Sequence, residues 1–156
     1  MPALTRLKSD VAHYLAQRIL VRQRGDMEQR ETWADVAEGF DIITICSHDL
    51  GGCPGRWVPA PDSESGVIYC NLAQSMPKQA LVVAHELAHG LMSVLQRTLL
   101  DKFESRLSRL AIQSDGTSAP QQDDCDGWQV RHDIACRVAL LCIPNALLLP
   151  QVLYKR

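Results

Sequence analysis

The stretch Leu81-Val82-Val83-Ala84-His85-Glu86-Leu87-Ala88-His89-Gly90-Leu91 decides how this chain is read. Positions four apart on an α-helix lie on one face, one above the other. His85 and His89 therefore point their imidazoles the same way, at a spacing that can grip one ion. Zinc takes His nitrogen at about 2.0–2.1 Å, and a catalytic zinc keeps three protein ligands and an open position. Glu86, beside the first His, is placed to act as general base towards a water in that position, chemistry suited to hydrolysing a peptide bond. Leu81, Val82, Val83, Ala84, Leu87, Ala88, Leu91, Val94 and Leu95 surround these three residues. A helix apolar on nearly all sides is expected to be buried. Burying two imidazoles and a carboxylate without partners costs several kcal/mol, roughly, and a bound Zn2+ satisfies all three.

The third ligand must come from farther along, because Gly90-Leu91-Met92 follows the motif at once with no His in that turn. The candidates are His132 and Asp133 in the last clear helix, and Asp123, Asp124 and Asp126 in the loop before it. Cys125 in the same loop is read as an ordinary thiol. His48 and Tyr69 are the residues to consider for stabilising an oxyanion. His13 lies in the first helix and needs no function.

Working outward, Ser75, Met76 and Pro77 open the active-site helix, since proline is tolerated in a first turn, and the helix is expected to run to about Arg97 (75–97). Before it, Ile42 to Cys46 is short and β-branched. Arg56 to Pro59 and Val67 to Asn71 flank a polar turn and are expected to pair as a hairpin within a strand region, 41–71. Upstream, Val11, Leu15 and Ile19 form an apolar stripe on a helix from Asp10 to Arg24, with Ser9 able to cap it. A short helix follows between Thr32 and Gly39, completing an N-terminal helical region, 9–39. Downstream, Leu99, Phe103, Leu107 and Leu110 predict a helix to about Ile112. Ser114 to Gly127 reads as a long polar loop, and Trp128 to Cys142 as a helix ended by Pro144, with C-terminal helices spanning 99–153 overall.

The 156 residues suit one domain, 1–156, and 46% hydrophobic against 22% charged residues is an ordinary globular balance. A net charge of −2 provides no basic field for direct nucleic-acid binding. The apolar run from Val138 to Leu153 is interrupted by prolines and falls short of the ~20 residues of a membrane span. Met1 to Asp10 shows no apolar core of a secretion signal. The six cysteines contain no Cys-x-x-Cys pair. Free thiols in a reducing cytoplasm are therefore expected, and not a disulfide framework.

The segments Gly66-Val67-Ile68-Tyr69-Cys70-Asn71 and Ala84-His85-Glu86-Leu87-Ala88-His89 together resemble the ImmA/IrrE family of zinc metallopeptidases. In that family a glycine and an apolar strand ending in Asn precede an Ala-His-Glu-Leu-x-His helix. His132-Asp133-Ile134-Ala135-Cys136-Arg137-Val138-Ala139 falls on the family's downstream helix, more loosely. The resemblance spans roughly residues 30 to 150. It implies an α+β, zincin-like fold with a small twisted sheet packed against the active-site helix and further helices. It places His132 where the family has a glutamate as third zinc ligand, with Asp133 as the fallback. It implies that the strand Val67 to Asn71, with Tyr69 and Asn71, lies along the cleft and receives substrate as an added strand. The implied substrate is a helix-turn-helix repressor or antitoxin, whose cleavage would serve a stress response or other regulation of transcription. Two other readings stand beside it. One is a non-catalytic zinc-binding sensor or interaction domain, kept open by the altered third ligand. The other is a housekeeping peptidase of broad specificity.

Overall fold

The computed structural model describes residues 3–24, 33–62, 64–107 and 124–148. In chain order the elements are α1 (Ala3–Arg24), α2 (Trp33–Glu38), β1 (Ile42–Ser47), β2 (Gly55–Pro59), β3 (Gly66–Asn71), α3 (Met76–Val94), α4 (Gln96–Leu107) and α5 (Asp124–Leu148). The fold is mixed α+β. No helix among the described residues is long and apolar enough to cross a membrane.

The sheet has the order β1-β3-β2. β2 and β3 form the expected antiparallel hairpin, with Trp57 opposite Ile68 and Arg56 opposite Tyr69. β1 runs parallel to β3 on its other side, with Ile45 opposite Tyr69. β3 is thus the central strand, and both of its backbone edges are occupied. This corrects the expectation that Val67 to Asn71 forms an edge along a cleft: β2 is the edge strand of the hairpin, and it packs on α3.

Strand alternation then sorts the side chains. Ile42, Ile68 and Cys70 are fully buried beneath the helices. Trp57 and Gly55 share that face, because they stand opposite Ile68 and Cys70. The other face carries Ile43, Ile45 and Val58, which are 56%, 41% and 37% exposed, together with Val67, Tyr69 and Arg56.

α3 lies between the sheet and α5, and its pairing with α5 is the most extensive in the fold. α1 packs mainly on α5 and also touches α2 and α3. The stripe read from the sequence accounts for this: Val11, Leu15 and Ile19 of α1 are fully buried, as are Ala84, Leu87, Ala88 and Leu91 of α3 and Ile134, Ala135 and Val138 of α5. Each fully buried Leu, Ile or Val contributes about 1.5–3 kcal/mol. The Lys8 ammonium pairs with the Asp133 carboxylate at 2.7 Å and adds a polar tie between α1 and α5.

Element ends differ from expectation in three places. α1 starts at Ala3, not near Ser9. α3 stops at Val94 instead of Arg97, and Leu95 caps it through its N–H to the Leu91 carbonyl at 2.8 Å before α4 begins. α5 begins at Asp124 and continues past Pro144 to Leu148. Pro144 has no N–H for the carbonyl of Leu140 and its ring crowds that carbonyl; Leu140 is exposed, on a side of the helix with room to adjust. Asp123 and most of the loop read from Ser114 to Gly127 lie outside the described residues, as does the expected end of the helix at Ile112.

Gly90 sets how closely α3 approaches the sheet. A Cβ there would sit 2.9 Å from both the Ile42 Cδ1 and the Trp57 ring. A Cβ at Gly66 would also meet the Trp57 ring, so the indole is seated between two glycines. Gly90→Ala is expected to displace Trp57 and destabilise the fold by about 1–3 kcal/mol. Urea unfolding with tryptophan fluorescence reads both effects, and an unchanged midpoint would refute the close-approach argument.

Candidate metal centre

Two helices supply the centre, and each does so with residues four apart. On α3, His85 and His89 stack one turn above the other, with their Nε2 atoms 3.2 Å apart. On α5, His132 faces the same point. Its ring centroid lies 5.0 Å from that of His85 and 6.1 Å from that of His89, while His85 and His89 are 4.8 Å apart. The three imidazoles read from the sequence are thus brought together across the α3–α5 interface. Two nitrogens each about 2.05 Å from a tetrahedral zinc stand about 3.3 Å apart. The His85–His89 separation of 3.2 Å matches that edge. The group whose ligand atoms all lie within 4.8 Å of one another, and which could hold a metal ion, includes His85 and His132 but not His89, which adjoins it through His85.

The electrostatics agree. Burial, aided by the nearby His132, pushes His85 down to about 4. Burial pushes His89 down to about 3, with His85, His132 and Arg131 adding to the shift. Both rings are thereby held neutral at neutral pH, the form that ligates a metal.

Glu86 turns away from its neighbours towards β2. Its Cγ lies 3.5 Å from where a Cβ on Gly55 would stand, so glycine at that position leaves the carboxylate room. Burial pushes its carboxyl up to about 7, while a backbone hydrogen bond from Trp57 pulls the other way. The ladder explains why that N–H is available. Pro59, opposite Gly66, has no N–H to give, and alternation along the antiparallel pair turns the Trp57 N–H to the outer edge of β2. A carboxyl poised near neutrality suits an acid–base role.

Other residues weighed from the sequence lie elsewhere. Asp133 points to Lys8 of α1 and accepts from the Gln129 amide of its own helix at 2.9 Å, so the structure turns the fallback ligand away from the histidines. Asp124, Cys125 and Asp126 fall in the first turn of α5, with side chains outside the description. Tyr69 sits on the sheet face opposite α3, which removes it as a substrate-binding or oxyanion group at this centre. Asn71 is 3% exposed and its amide is committed to the chain itself. Its Nδ2 donates to the carbonyls of Gly51 at 3.1 Å and Cys53 at 3.0 Å, and its Oδ1 accepts from the Ala73 N–H at 2.9 Å. It clamps the turn between β1 and β2 and is not turned to a substrate. His48 is exposed in the bend after β1, and His13 bonds the Ser9 carbonyl within α1.

One residue of the cluster escaped the sequence reading. The Cys136 Sγ lies 3.6 Å from His132 Nε2, and potential ligand atoms of His85, His132 and Cys136 all lie within 4.8 Å of one another. Burial pushes its thiol up, and Asp133 adds to this. The signal was present: His132 and Cys136 stand four apart, as His85 and His89 do.

Comparison of the chain with protein-family models, curated proteins and solved structures finds no match.

The shifted groups make stability of the metal-free chain depend on pH. His85 and His89 have depressed folded values, so their contribution is present above the unfolded value of 6.5 and is lost as pH falls through 4 and 3. Glu86 has a raised folded value, so its contribution is present below 4.5 and is lost as pH rises through 7. Metal-free Glu86→Gln is therefore expected to melt above metal-free wild type at pH 8, and the gap should shrink as pH is lowered to 5. Thermal melts in chelator across that range check this, and a gap that widens on acidification would contradict the assignment.

Proposed function

We propose that this chain is a zinc-dependent endopeptidase with a zincin-like active centre. The observation that supports it is the convergence of His85, His89 and His132 from two helices, with Glu86 alongside at the edge of the sheet. These three histidines would hold the ion. Bound there, zinc supplies a Lewis acid for the scissile carbonyl and makes a water acidic enough to lose its proton near pH 7. Glu86 accepts that proton and returns it to the leaving amine, a two-way task for which a value near neutrality is suited. The Trp57 N–H fixes the carboxylate against β2. An extended peptide would lie along the outer edge of β2, in the role first expected of β3; there the Trp57 N–H is already given to Glu86 and Pro59 has none, so backbone pairing would rest on the outward carbonyls of β2.

The resemblance to the ImmA/IrrE family, carried by the residues from Gly66 to Asn71 and from Ala84 to His89, supports a helix-turn-helix repressor or antitoxin as substrate and the cytoplasm as the site of action. A net charge of −2 accords with a protein substrate and not direct nucleic-acid binding. The proximity of Cys136 favours a second reading, a closed zinc site in a non-catalytic sensor or interaction domain, since four protein ligands are the pattern of structural zinc.

Purified protein is expected to carry one equivalent of zinc by elemental analysis, and His132→Ala to lose most of it. Zinc at about a thousand times its dissociation constant should add about 4 kcal/mol of stability, and chelator should remove it. Glu86→Gln should keep the metal while cleavage of a candidate repressor falls by about 10²–10⁴-fold. Cleavage by wild type, lost in Glu86→Gln, supports the enzyme. Tight binding of a partner without cleavage by either form supports the sensor. Indiscriminate cleavage of unstructured peptides would mark a broad peptidase.

A further inference from the structure

We propose that the Sγ of Cys136 is a fourth protein ligand at this centre, closing it until the thiolate is displaced. The inference rests on the zinc-peptidase reading and adds a regulatory state to the same site. The first argument is geometric. A nitrogen and a sulfur bound to one tetrahedral zinc, at about 2.05 and 2.3 Å, stand about 3.6 Å apart. Cys136 Sγ and His132 Nε2 are separated by 3.6 Å, while His85 and His89 show the nitrogen–nitrogen edge at 3.2 Å. Two edges of a mixed nitrogen–sulfur tetrahedron are therefore already present, one on each helix.

The second argument is topological. Cys136 follows His132 by one helical turn, so the sulfur stands on the face of α5 that carries the imidazole. His85 on α3 completes a group with both of them, all ligand atoms within 4.8 Å; His89 lies outside that group and adjoins it through its Nε2, 3.2 Å from that of His85. The remaining described cysteines have other surroundings. Cys46 and Cys53 are exposed, the buried Cys70 thiol donates to the Gln79 carbonyl at 3.9 Å, and Cys142 is fully buried in the hydrophobic core.

The third argument is charge. Three neutral imidazoles leave the full double charge of the ion in a half-buried site, and one thiolate halves it. On coordination the Cys136 S–H gives its proton to solvent and a sulfur–metal bond forms. On opening that bond breaks, the thiolate takes a proton back, and the coordination position passes to water or to the substrate carbonyl. Four protein ligands make a closed centre and three an open one, so the Cys136-bound state is latent.

Cobalt(II) in place of zinc tests this without relying on activity. Wild type should show a near-ultraviolet sulfur-to-cobalt charge-transfer band, lost in Cys136→Ser while the visible d–d bands persist. Cys53→Ser, which alters an exposed thiol outside the cluster, should keep the band. Alkylation read residue by residue by peptide mass spectrometry should show Cys136 protected when zinc is bound and labelled in chelator. At equal metal load, Cys136→Ser should cleave a repressor substrate faster than wild type. Cobalt protein with d–d bands but no sulfur band would overturn the proposal and leave the three-histidine peptidase standing, and so would metal-independent labelling of Cys136. A sulfur band combined with slower cleavage by Cys136→Ser would overturn the latency. Failure to bind cobalt or zinc at all would overturn both readings together. The wild-type spectrum and labelling decide the matter even if Cys136→Ser does not fold.

Discussion

The structure depends on one constraint: two pairs of donors, each spaced by a helical turn, must face one another across the α3–α5 interface. His85 and His89 are one pair, and His132 and Cys136 the other. A helix holds such a pair with almost no freedom, because a separation of four residues fixes both height and azimuth. What remains adjustable is the docking of one helix on the other. The buried aliphatic residues Ala84, Leu87, Ala88 and Leu91 on α3, and Ile134, Ala135 and Val138 on α5, set that docking. Packing thus does for the metal centre what chain connectivity cannot. The polar cluster is tolerable within an apolar interface because burial holds His85 and His89 neutral there, and because a cation can claim their lone pairs.

Glu86 belongs to a different junction. It lies a little over a quarter turn round the helix from His85, which takes it out of the α3–α5 interface and towards β2. The sheet comes close enough only because Gly90 and Gly66 leave space for the Trp57 ring between helix and strand. Trp57 then serves twice: its side chain fills the gap, and its backbone N–H meets the Glu86 carboxylate. The glycine directly after the second histidine therefore has a mechanical reason to be there.

Neighbouring residues of α5 are divided between two partners. His132 and Cys136 stand with His85 at the interface with α3. The same helix presents Asp133 in the opposite sense, to Lys8 on α1, so that one turn of α5 serves both the centre and the packing of the N-terminal helix.

Periodicity along the chain by itself determined the local elements and the first half of the centre. The stripe of α1, the hairpin of β2 and β3, and the His85–His89 face of α3 with Glu86 beside it are all relations over a few residues, and backbone geometry makes such relations legible. His132 was also found from the sequence, though as one of several candidates. Only the tertiary structure separated them in space, because which of His132 and Asp133 turns towards α3 depends on how α5 docks. It also decided that β3 is central, which left β2 as the edge strand of the hairpin, put Tyr69 on the far face and gave Asn71 to a turn. Strand order is a non-local property: β1 inserts its pairing with β3 across some twenty residues of intervening chain, and nothing in the alternation of either strand announces its neighbour. Cys136 lay between these cases. Its spacing from His132 was visible, but its meaning required the other helix.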